Sequence, residues 1–77
     1  MEKRFTNYQL MSLTRVISLL AYASNDAAQS IWWEQRESTD SAIKDLANAK
    51  EWTEKALSVI NELYDELNNR QDDKDNH

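Results

Sequence analysis

The chain has 77 residues, a formal net charge of −5, and no Gly, Pro or Cys. Average usage would supply roughly nine Gly and Pro together, and tight hairpin turns and bulges draw on Gly for positive φ, so a multi-stranded fold is excluded in favour of one helical domain. Without Cys there is no disulfide, thiolate nucleophile or sulfur-bound metal, which points to the cytoplasm, and the acidic balance disfavours nucleic acid, whose phosphates need clustered Lys and Arg.

In chain order, residues 1 to 5 form a short basic lead. Lys3 and Arg4 before the apolar run Val16 to Ala23, which ends in Ala21-Tyr22-Ala23, have some look of a secretion signal. Arg15 against that run, and the run's shortness, weigh against it. A membrane span needs ~20 predominantly apolar residues, and no stretch supplies them, so no membrane partner is expected.

Thr6 followed by Gln9 is a capping-box pattern and predicts a helix from Asn7. Leu10, Leu13, Ile17, Leu20, Ser24, Ala27 and Ile31 then recur at alternating spacings of three and four, a heptad seam. Val16, Leu19 and Ala23 widen it on one flank. Ser24-Asn25-Asp26 is the weak point, because these side chains compete for backbone hydrogen bonds. The seam keeps its phase across them, so the reading is one continuous or gently kinked helix to about residue 37, with a three-helix variant as the alternative.

Glu37 to Ser41 is the break, where Ser38, Thr39 or Asp40 can cap the next helix. A second helix over about 40–69 carries the seam Ile43, Leu46, Ala49, Thr53, Ala56, Ile60, Leu63 and Leu67, with Leu57 and Tyr64 beside it. Asp40/Lys44, Glu51/Lys55 and Glu66/Arg70 are spaced to pair on its outer side, each worth ~0.2–0.5 kcal/mol. Residues 71–77 read as a frayed polar tail. The expectation is an all-α domain over residues 1–70: a long antiparallel helical hairpin.

Such a hairpin is not expected to stand alone. Between Phe5 and Trp33 the formal charges are Arg15 and Asp26 only, and a helix neutral over most of its circumference is normally buried by more than one neighbour. Two hairpins packing as a four-helix bundle solve this, with Leu13, Val16, Leu20 and Ala27 assigned to self-association in a homodimer.

Catalysis finds no support. The sole His is His77, at the end of the tail, no Gly-rich phosphate loop or Glu-x-x-His metal pair exists, and paired carboxylates such as Asp65-Glu66 read as solvated surface. No catalytic residue, cofactor or metal is expected. The candidate partner-binding residues are Trp32, Trp33 and Arg36, since Trp and Arg dominate interface hot spots, together with Glu51, Glu54 and Glu62 on an acidic surface suited to a basic groove. Adjacent Trp rings lie ~100° apart on a helix, so both cannot enter one seam. The function expected is a non-enzymatic inhibitor or adaptor that occupies the surface of an unidentified protein, of a size that phages and other mobile elements encode. A dimeric helical-bundle RNA- or DNA-binding regulator, or a purely structural oligomerisation module, are the alternatives.

Overall fold

Two helices joined by a three-residue turn account for the described chain. The computed structural model describes residues 5–75, with side chains from 5 to 69. Helix α1 spans Asn7–Gln35 and helix α2 spans Thr39–Asp75. The predicted capping box forms: the Gln9 N–H donates to Thr6 Oγ1 at 3.1 Å, and the Thr6 N–H donates back to Gln9 Oε1 at 3.0 Å. Thr6 itself stays extended, at φ −75 and ψ 166, as an N-cap must. The helix runs unbroken through Ser24, Asn25 and Asp26, so the hairpin stands and the three-helix variant does not. Beyond the turn, α2 continues past the expected end near residue 69, and the last two residues of the expected tail lie outside the described residues.

The turn is built without glycine. Ser38 N–H donates to Trp33 O and Glu37 N–H to Glu34 O, both at 3.0 Å. These are the two bonds of a Schellman motif, which places residue 37 in the left-handed region. Glu37 accepts φ 60 there, at a cost of roughly 1–2 kcal/mol for a residue with a Cβ. The next helix begins at once, with Ala42 N–H donating to Ser38 O at 3.0 Å.

The helices pack through small side chains. Val16 and Leu19 are 6% and 5% exposed, and they meet Ala56, at 1%, with Trp52 and Val59 half-covered beside them. Ala23, Ala42, Ala49 and Leu63 complete the buried apolar set. Two polar contacts tie the ends: Gln9 Nε2 donates to Glu66 Oε1 at 3.1 Å, and Ser30 Oγ donates to Ala42 O at 2.8 Å near the turn. The seam in use on α1 therefore runs Gln9, Val16, Leu19, Ala23, Ser30 and Trp33, one residue before the repeat counted from sequence. Its counterpart on α2 runs Ala42, Ala49, Trp52, Ala56, Val59 and Leu63. On α1 the residues read as a flank, Val16, Leu19 and Ala23, are the core; on α2 Ala49, Ala56 and Leu63 of the expected seam are buried, whereas its Ile43, Leu46 and Ile60 are exposed together with the flank residues Leu57 and Tyr64. The reason is closeness of approach, since alanines let two backbones come near where Leu and Ile would hold them apart.

Candidate interaction surfaces

The shift by one residue decides what the hairpin shows to its surroundings. One residue along a helix is a rotation of ~100°. In an antiparallel pair both the sense of rotation and the inward direction reverse between the helices, so the step leads to the same side of the hairpin in both. Leu10, Leu13, Ile17, Leu20, Ala27 and Ile31 of α1 thus share one broad face with Ile43, Leu46, Thr53, Leu57, Ile60 and Tyr64 of α2. Ile17 is 69% exposed, Ile31 61% and Leu46 58%. A groove lined by Ser30, Ile31, Ala42, Ile43 and Leu46, with Glu34 and Thr39 at its turn end, crosses from one helix to the other on this side, and a second apolar hollow follows α2 from Ile43 to Glu54. Thr53 is tolerated on this face because its hydroxyl donates to Ala49 O at 2.8 Å, which leaves its methyl group outward.

The opposite face is polar and aromatic. Tyr22 and Trp52 bridge the helices there, ring centroids 4.9 Å apart and tilted by 50°. They border a shallow cleft completed by Asn25, Asp26, Asn48 and Glu51. Lys55 Nζ sits 5.1 Å from the Trp52 ring centroid, so its ammonium is drawn to the indole. The ion pair that closes among the described residues is Lys50–Glu54, at 3.9 Å and well exposed; such a surface pair contributes little.

The tryptophan pair divides as helix geometry requires. Trp33 is half-buried at the turn end of the seam, while Trp32 is 44% exposed beside it. The rings meet edge to face, 4.8 Å between centroids at 88°. Arg36 folds back so that its guanidinium lies 3.7 Å over Trp32, and Nη1 donates to Trp32 O at 3.0 Å. Trp32 and Arg36 form one exposed cation–aromatic unit at the turn.

The other expected site residues fall on both sides. Glu51 lines the polar cleft, and Glu62 lies three turns along on the same stripe. Glu54 borders the apolar hollow along α2 and pairs with Lys50 at 3.9 Å. Leu20 and Ala27 lie exposed on the apolar face, and Leu13 is half-covered there. Val16 is taken up inside the hairpin. Sequence reasoning missed the Tyr22–Trp52 bridge and the exposure of Ile17, Ile31, Ile43 and Leu46. The available signal was that each helix carries two adjacent three-four repeats, only one of which can face the other helix.

Among the described residues no group of His, Cys, Asp or Glu is placed to hold a metal ion. No described helix is long and apolar enough to cross a membrane. Set against protein-family models, curated proteins and solved structures, the chain matches none of them.

Proposed function

We propose that this chain is a non-enzymatic interaction protein of the cytoplasm, which self-associates through its apolar face into a four-helix bundle and uses its turn end to occupy a partner protein. One observation carries the reading: the hairpin closes over four alanines with Val16, Leu19 and Leu63, and leaves most of its large apolar side chains exposed. The described chain measures 61 × 19 × 13 Å, so it is one helix thick, whereas a stable domain packs at least two layers around a core.

A second copy fits the apolar face for two reasons. The stripes are ~32–36 Å long at 1.5 Å per residue and the hairpin is 19 Å across. That gives roughly 600–700 Å² per copy before side-chain relief is counted, close to the ~800 Å² per partner of a standard interface. Charge gives the other reason. A chain of net charge −5 repels its own copies unless its carboxylates stay off the contact or are held by their own hairpin, and the two that border this face are so held, Glu34 by Thr39 and Glu54 by Lys50.

Self-association leaves the Trp32–Arg36 unit in solvent, and that residue pairing supports its role as the anchor for a different protein. Occupation of the partner's surface, as inhibitor or adaptor, is the mode of action; among the described residues no constellation of acid, base and nucleophile comes together.

Light scattering over a concentration series is expected to show a species of twice the 9.0 kDa chain mass. A photoreactive residue at position 17 is expected to capture a second copy, and one at position 32 a different protein from the native host. A monomer at every concentration defeats the self-association. Capture of nothing at position 32 leaves a structural module in place of an inhibitor or adaptor.

A further inference from the structure

Given the self-association proposed above, on which this inference rests, two arrangements are open to a two-fold pair of hairpins: turns at the same end, or turns at opposite ends. We infer that the two copies stack with their turns at the same end, α1 of each against α2 of the other. The contacts within the hairpin fix which residues share a level. Gln9 meets Glu66, Tyr22 meets Trp52, and Ser30 meets Ala42. Ser24 of α1 consequently lies level with Lys50 of α2, and Ile17 with Leu57.

Ser24 and Lys50 interrupt the two exposed stripes, as does Thr53, whose hydroxyl is already bonded to Ala49 O. With turns together, α1 runs antiparallel to the other copy's α2 at equal levels, so each Ser24 faces a Lys50. Each Ile17 then faces a Leu57, and polar meets polar while apolar meets apolar. With turns apart, α1 lies against α1 and α2 against α2, with the axis at Leu20 and Thr53. Lys50 would then face Leu57, and Ser24 would face Ile17. Each polar group would meet an apolar side chain and lose water without gaining a partner across the contact, which costs free energy.

Charge favours the same arrangement independently. From Thr39 to Asn69, α2 holds seven acidic residues against three basic ones, whereas α1 holds Asp26 and Glu34 against Arg15. Turns apart would set the two acidic helices side by side at the ~8–10 Å spacing of packed helices. Turns together put them at diagonal corners, roughly 11–14 Å apart for that packing distance, with the nearly neutral α1 between, so the separation passes the ~8 Å over which charges act at physiological salt. Glu34, which reaches the turn end of the apolar stripe, is folded back onto its own hairpin, where Thr39 Oγ1 donates to Glu34 Oε1 at 3.1 Å.

The arrangement has a functional consequence. Both Trp32–Arg36 units lie at one end of the bundle, so a dimer offers one two-sided head rather than a patch at each extremity.

The natural chain has no Cys, so single spin labels report cleanly. Gln35→Cys and Asn68→Cys sit on exposed outer positions near the turn and the open end. Pulsed dipolar spectroscopy on each labelled dimer, its mass confirmed by sedimentation, reads the distance between copies. From helix rise and packing distance, turns together give about 30 Å at both sites, and turns apart about 45 Å. The short distance at both is the expected result. A confirmed dimer with the long distance at both overturns the inference and leaves self-association standing. A monomer by sedimentation removes the reading beneath it.

Discussion

Ile17 gives the sharpest test of the apolar face, because its replacement by Ala has opposite signs in a lone hairpin and in a bundle. In the hairpin Ile17 is 69% exposed, so little packing is lost, and Ala is the better helix former by a few tenths of a kcal/mol. A solitary hairpin is therefore slightly stabilised by Ile17→Ala. In the bundle that exposed two-thirds of the side chain is covered. Full burial of an Ile is worth about 1.5–3 kcal/mol, so the portion at stake is about 1–2 kcal/mol per copy and about 2–4 kcal/mol per dimer. At 1.4 kcal/mol per tenfold, the dimer dissociation constant rises roughly 30- to 700-fold. Sedimentation equilibrium reads that constant directly. Thermal unfolding at several protein concentrations gives a second readout, because the Tm of a dimer climbs with concentration. Leu19→Ala is the control: at 5% exposure it empties the hairpin's own seam and is expected to cost about 2–5 kcal/mol. An unchanged dissociation constant for Ile17→Ala, or a Tm that rises and ignores concentration, would refute the assignment of this face.

Three further outcomes follow from the local geometry. Glu37→Gly is expected to raise stability by about 0.5–1 kcal/mol in chemical denaturation, since relief of the left-handed strain outweighs the entropy glycine adds to the unfolded chain; a loss of stability would contradict the positive φ. Thr6→Ala removes the hydroxyl that accepts the Gln9 N–H, and the same measurement is expected to show a loss of about 1 kcal/mol. Ala56→Leu forces a larger side chain into the tightest point between the helices, and a cost of about 1–3 kcal/mol is expected; neutrality there would mean that the helices pack elsewhere.

Much of the hairpin was legible in the sequence because its causes are local. The capping box needs only Thr6 and Gln9 at the right spacing, and it formed as read. The continuity of α1 through Ser24 to Asp26 followed from a pattern that keeps its phase. The turn fell where Ser38 and Thr39 interrupt the apolar repeat. The absence of Gly correctly argued against strands, yet one position still demands a left-handed residue, and nothing in the identity of Glu37 announces it. The division of the tryptophan pair, with Trp33 inward and Trp32 outward, was constrained by helix geometry. Which ring turned inward was not.

What the sequence determined by itself is the presence of two long helices, the capping box that starts the first, the break between them, and the concentration of neutral side chains on the first. Each of these depends on neighbours within one or two turns of the chain. What only the tertiary structure decided is which of two adjacent stripes joins the helices. On α1 the repeat through Leu10 and Ile17 and the repeat through Gln9 and Val16 have the same period and differ by one residue, so periodicity cannot separate them. The richer stripe looked like the core by count of Leu and Ile. The poorer one became the core because alanines at 23, 42, 49 and 56 let the backbones close, and that closeness is a property of two helices facing one another. With alanines at those four positions inside, most of the large apolar side chains are left on the outer face.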